Sequence, residues 1–132
     1  MKVLIIQGGA NSKLPSGEKT VILNELKYLS IKHDVHVECL NNKDGIISKL
    51  SGVVWSYSNY NKVVKLIEKY QPDIVHFHTI VPYLSLSVLY AAKRKNVRVV
   101  QTLHNVRWLC VEGGFHRKGK YCNDCVGNYG WT

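Results

Sequence analysis

Two short stretches place groups able to hold hydroxyls or phosphates directly after apolar runs: "IVHFHT", residues 74–79, and "VRVVQTLHNVR", residues 97–107. His76 and His78 are two apart, so in a strand they face the same way while Phe77 faces oppositely. His76 reads as a hydrogen-bonded core histidine. His78 is last in its run, with Thr79 after it, and reads as a group at the edge of a site. His104 holds the corresponding place after the next run, followed by Asn105 and Arg107. Two imidazoles, an amide and a guanidinium at neighbouring strand ends suit sugar hydroxyls or phosphate oxygens. This reading requires His78 and His104 to emerge side by side from adjacent parallel strands.

The first loop, "GGANSKLPSGEKT", is glycine-rich and leads into a helix, a combination that exposes backbone N–H groups to an anion. Seven residues separate Gly9 from Gly17 and Glu18 precedes Lys19, which fits neither the P-loop nor the dinucleotide fingerprint. A generic anion-binding loop remains, beside the plainer reading that the glycines only supply unusual backbone angles. Carboxylates are the informative absence. None is expected at a strand end with a partner, and no serine lies in a nucleophile elbow. The sequence reads as one that holds and orients a substrate without displaying a nucleophile.

Three of the four cysteines lie in "LCVEGGFHRKGKYCNDC", residues 109–125. A metal cluster, a disulfide staple and a reduced loop are all open on spacing alone. Cys39, at the end of an alternating run, reads as a buried core thiol.

The elements that must position these groups follow from periodicity. With 132 residues, 45% of them hydrophobic, the chain has room for one domain with a real core. Lys2–Ile6 is a buried strand ending in Gly8-Gly9, and not a signal peptide. A helix begins near Gly17, with Ser16 able to cap it and Ile22, Leu26 and Leu29 on one face. Asp34–Leu40 alternates like a strand, and "GVVW" (52–55) is a possible short one. A helix runs from Asn59 with Val63, Leu66, Ile67 and Tyr70 inward, and Pro72 stops it. Residues 73–78 form a strand buried on both faces. Residues 82–96 form a helix, basic in its last turn, and 97–104 form another strand. Such alternation indicates a parallel sheet with right-handed crossovers, whose ligand site lies outside the carboxyl ends of the strands. No closing helix follows, so the sheet looks cut short.

No apolar run approaches bilayer length. A cytoplasmic protein with reduced thiols is expected, which counts against a disulfide. The net charge of +9 makes a polyanion partner plausible, or else an acidic counterpart domain.

The stretch "PDIVHFHTIVPYLSLSVLYAAKRKNVRVVQTLHNVRWLC" resembles the N-terminal half of a GT-B glycosyltransferase of retaining family 4. The likeness lies in Pro-Asp before an apolar strand ending His-x-His, a Ser-rich apolar helix, and a strand ending Thr-x-His-Asn. It implies an α/β, Rossmann-like fold with a mostly parallel sheet and helices on both faces. Residues 1–132 would be one acceptor-side domain, incomplete at its C-terminal end, with a cysteine-bearing loop at 108–132. The implied activity is transfer of a sugar, of the hexosyltransferase type, from a nucleotide-sugar donor to a saccharide or lipid-linked acceptor, as in polysaccharide biosynthesis. His104 would act at the reaction centre. Ser16, Gly17, His78, Thr79, Asn105 and Arg107 would bind substrate, although a Lys-Leu-Pro insertion precedes Ser16. The paired glutamates and the diphosphate-binding Arg and Lys belong to the family's other domain, so these residues alone should not transfer sugar. No cofactor is implied for catalysis. A subset of the family pairs a Leu-Leu-Cys with a hairpin and Cys-x-x-Cys. Cys110, Cys122 and Cys125 match it, which implies a structural zinc with His116 or a further thiolate as fourth ligand. The basic charge would favour peripheral contact with the inner face of the cell membrane.

The rival reading is a basic, zinc-dependent nucleic-acid-binding module, prompted by the charge and "RKGKYCNDC". Against it, the Lys and Arg residues are scattered and not grouped on one recognition element.

Overall fold

The β-branched run after Met1 becomes the strand around which the rest is built. The computed structural model describes residues 1–9, 17–40, 55–81, 83–110 and 112–126. It divides into two compact units, Met1–Thr102 and Leu103–Thr132. Within the first, β1 (Lys2–Gly8), α1 (Gly17–Leu29), β2 (Asp34–Leu40), α2 (Tyr57–Tyr70), β3 (Ile74–His78), α3 (Ser87–Arg94) and β4 (Arg98–Thr102) follow in order. The four strands form one sheet in the order β2-β1-β3-β4, and every pairing is parallel. This is the Rossmann-like α/β arrangement that the alternation predicts.

The strand period of two sorts side chains onto the two faces. On one face Val3 and Ile5 pack with Ile22 of α1, flanked by Leu29, Val35 and Val37. On the other, Leu4, Ile6, Val75 and Phe77 pack with Val63 and Ile67 of α2 and Val88, Ala91 and Ala92 of α3. Helices therefore cover both faces, and the larger core lies under α2 and α3. Apolar burial of this kind contributes about 25 cal/mol per Å². Phe77 is the largest fully buried side chain among the described residues.

Local signals explain the boundaries. α2 starts at Tyr57, two residues before Asn59, because the Ser56 hydroxyl accepts the Asn59 backbone N–H at 3.2 Å. It ends at Gln71, in the left-handed region with φ 49°, whose N–H closes on the Ile67 carbonyl. α3 is shorter than the 82–96 expected and spans Ser87–Arg94. Its approach is taken up by a turn in which Leu84 N–H reaches the Ile80 carbonyl at 2.6 Å. Buried hydroxyls fix the entry, with Ser87 Oγ donating to the Ser56 carbonyl at 2.9 Å. β4 is an edge strand whose Val99 and Val100 are exposed. The "GVVW" stretch, apart from Trp55, and the residues from Ala10 to Ser16 lie outside the described residues.

In the second unit, β5 (His116–Arg117) and β6 (Lys120–Tyr121) form an antiparallel hairpin. Its turn residues Lys118 and Gly119 both have positive φ, 51° and 76°, the arrangement that matches strand twist.

Candidate functional site

The strand order reverses at β1: the chain steps from β1 to β2 on one side, then to β3 on the other. In open α/β sheets such a switch point opens a crevice beyond the carboxyl ends of the two diverging strands. Those ends are Gly8 of β1 and His78 of β3, with Gln7 in register opposite His78. Gly8 is required there by close approach: a Cβ on it would lie 2.4 Å from the Thr79 carbonyl oxygen. Gly9 turns away with φ +82° beneath the ring of Tyr83. The glycine pair thus has a packing role in the switch point itself.

Thr79 follows His78 with φ 48°, an uncommon value for a β-branched residue. Its hydroxyl donates to Glu18 in the first turn of α1. This contact brings the N-terminus of α1 to the end of β3. Gly17 opens that helix, is exposed, and has nothing within 4 Å of where a Cβ would stand. The first backbone N–H groups of a helix lack intrahelical partners and suit an anion.

Deeper along the same face, Glu25 of α1 meets both histidines of β3. His78 Nε2 is 3.0 Å and His76 Nδ1 3.4 Å from the same carboxylate oxygen, Oε2. The two rings lie with centroids 4.2 Å apart, so they share a face as the spacing of two requires. His76 Nε2 is 2.8 Å from the hydroxyl of Thr102, the last residue of β4. His76 is therefore the hydrogen-bonded inward histidine that its place in the strand predicts.

His78 departs from its expected place. It is wholly buried, not a rim group, because Glu25 reaches over from α1 and holds the ring inward. β4 also stops at Thr102, two residues short of His104, and the residue in register beside His78 is Thr102. His104 belongs to the second unit, together with Asn105 and Arg107. The histidine pair that this face brings together is His76 with His78.

Within the second unit, Asn105 Oδ1 accepts the Arg107 backbone N–H at 3.1 Å, a local turn closed by the amide. Arg107 is exposed, with its stem against Gly113. His104 is half-buried. Ser16 lies outside the described residues. Cys110 is buried, and backbone N–H groups, those of Phe115 foremost and then Gly113, Glu112 and Gly114, pull its thiol below the ordinary range against the opposing effect of burial. Cys110, Cys122 and Cys125 carry no disulfide. Thiols on a tight hairpin are chemically suited to zinc. As placed, however, these three sulfurs do not converge: among the described residues, a group of three donor atoms close enough to share an ion occurs at Glu25, His76 and His78. Cys39 also departs from expectation. It is exposed and not a core thiol, since its side of β2 lies at the sheet edge.

Glu25 and Thr102 were not singled out by the sequence, and Glu18 was read only as an acidic residue favourable at the start of the helix; the expectation that no carboxylate meets a strand end is corrected by Glu18 and Glu25. Their signal was present. Residues 18, 22 and 25 lie at i, i+4 and i+7, one helical face, and Ile22 between them is buried.

Comparison with protein-family models matches residues 15–123 to Glycosyltransferase Family 4, most of the chain and all of the elements from α1 to the hairpin. The chain belongs to glycosyltransferase family 4. No curated protein and no solved structure matches it. No helix among the described residues is long and apolar enough to cross a membrane.

Proposed function

We propose that this chain is the acceptor-side domain of a GT-B glycosyltransferase, of the hexosyltransferase type, that transfers sugar with retention from a nucleotide-sugar to a saccharide or lipid-linked acceptor. The family match carries the reading. It is supported by the first turn of α1 meeting the end of β3 through Glu18 and Thr79, at the switch point of the sheet. In this reading Gly17, with Ser16 before it, offers backbone N–H groups to a phosphate or an acceptor hydroxyl. Thr79 fixes the edge of that cleft, and Glu25 holds His78 behind it as a support. His104 meets the transferred sugar, with Asn105 and Arg107 beside it as donors of hydrogen bonds. The donor nucleotide is held mainly by a partner domain, and these residues alone do not complete the transfer. A soft metal on Cys110, Cys122 and Cys125, with His116 or a further thiolate, belongs to the reading only as a structural element of the hairpin and would have to draw the sulfurs together. The charge of +9 would favour peripheral contact with an anionic inner-membrane face, where lipid-linked acceptors are presented.

The test is a two-dimensional NMR titration of the chain with short oligosaccharides, a polyprenyl-phosphate-linked sugar in micelles, nucleotide-sugars, and random duplex DNA. The expected result is saturable shifts at Gly17 and Thr79 with one of the acceptor-type ligands, and weak effects from nucleotide-sugars. Binding confined to DNA, falling steeply with salt, would replace the proposal with the nucleic-acid reading.

A further inference from the structure

Behind the cleft, the cluster on the α1-facing side of β3 has a composition that suits a second chemistry. Glu25, His76 and His78 each offer one ligand atom, and the three atoms lie within 4.8 Å of one another. We propose that these residues form a binding site for a divalent transition-metal ion, with zinc the best fit.

The separations are close to what such an ion needs. Bonds of about 2.0–2.2 Å at tetrahedral angles put neighbouring ligand atoms about 3.3–3.5 Å apart. The two distances to Glu25 Oε2 are 3.0 Å and 3.4 Å. The rings already lie side by side with centroids 4.2 Å apart, so small shifts of the three side chains would bring their ligand atoms to these separations. Ligand type points the same way: two imidazoles and one carboxylate favour zinc or its transition-metal neighbours over calcium or magnesium, which take oxygen ligands. Ligation takes the imidazoles in their neutral form, and the carboxylate then supplies a negative charge to the ion. Glu25 keeps 27% of its side chain exposed, which is the side from which an ion would enter.

The surrounding shell supports the same assignment. A ligating histidine characteristically engages a fixed partner through its other ring nitrogen, which sets the tautomer and aims the ligating atom. His76 does this, with Nε2 at 2.8 Å from Thr102 Oγ1 and Nδ1 turned to Glu25. His78 is locked by complete burial. The site joins α1 to β3 across 53 residues of sequence. A bound ion there would staple the helix whose first turn meets Thr79. The cysteines of the second unit take no part, and the proposal does not rest on the assigned transferase activity.

The experiment uses the full chain with C110S, C122S and C125S, so that thiolates cannot compete, titrated with Zn(II) and, for its visible spectrum, Co(II). The expected result is one ion per chain, a rise in melting temperature with Zn(II), and Co(II) bands of a nitrogen and oxygen site. E25Q and H76N should each abolish binding, and T102V should weaken it about ten- to hundredfold. Should the triple variant or E25Q fail to fold, X-ray absorption of the zinc-loaded natural chain and its T102V form decides the matter. Nitrogen and oxygen scattering weakened in T102V supports the site, and sulfur-only scattering, or nitrogen and oxygen scattering that T102V leaves unchanged, overturns it. The proposal also falls if the folded triple variant binds neither ion, or binds them unchanged after E25Q and H76N.

Discussion

Glu25 Oε2 stands 3.0 Å from Nε2 of His78, a contact between residues 53 apart in the chain in which the imidazole is wholly buried. A buried polar ring that loses its partner forfeits the hydrogen bond and keeps the cost of desolvation, about 1–3 kcal/mol. Glu25→Ala should therefore lower unfolding stability by about that much. Glu25→Gln, which retains a carbonyl acceptor, should lose less. Urea unfolding without added metal measures both, and equal stability of the natural chain and Glu25→Ala would show that the contact does not hold His78.

Gly8→Ala should be damaging for a different reason. The added Cβ would fall 2.4 Å from the Thr79 carbonyl oxygen and 3.1 Å from the Leu84 side chain. The carbonyl belongs to the backbone, so β1 and the end of β3 must move apart. Overpacking of this kind costs about 1–3 kcal/mol. Because the strain falls at the switch point, saccharide binding in the NMR titration should weaken along with the urea midpoint. A variant as stable as the natural chain would mean that Gly8 is not in contact there.

How far the sequence carried these sites differs residue by residue. β2 was legible end to end, because Asp34–Leu40 alternates and nothing competes with that pattern. The start of α3 was not. Residues 82–86 have helical apolarity, yet the buried Ser85 and Ser87 hydroxyls meet each other at 2.5 Å and Ser87 ties to the Ser56 carbonyl, which delays the helix to Ser87. Local periodicity does not report such a long-range bond. The same limit hid Glu25. Helical spacing places it on the face of Ile22, but only the packing of α1 on β3 decides that its carboxylate meets a histidine. His104 shows the converse case: apolar composition carried the expected strand to residue 104, and pairing ended at Thr102.

Gln71 closes α2 with φ 49° and ψ 55°. A residue with a Cβ is disfavoured in this conformation by about 1–2 kcal/mol, and glycine is not. The Gln71 side chain gives back part of that through an exposed bond from Nε2 to the Glu68 carbonyl at 2.9 Å. Gln71→Gly should thus stabilise the chain by about 0.5–1 kcal/mol, with the urea midpoint raised and the slope unchanged. A lowered midpoint would mean that the side-chain bond outweighs backbone strain.

Cys39, exposed as a residue, carries a thiol whose pKa is raised, by desolvation of its sulfur beside Gln7 first and by the neighbouring Glu38 carboxylate second, with Lys19 opposing. The folded chain therefore favours the neutral thiol over the thiolate relative to the unfolded chain. A raised folded value means that this contribution to stability is fully present below the unfolded pKa and is lost as pH rises through the folded one. The thiolate is the reactive form. In the chain with C110S, C122S and C125S, alkylation of Cys39 should rise with pH later than in a short unfolded peptide of the same sequence, whose thiol titrates near about 8.5. Lys19→Ala should delay it further, since it removes the opposing cation, and Glu38→Gln should bring it forward. Coincident pH profiles for folded chain and peptide would show that neither the local burial nor Glu38 acts on this sulfur.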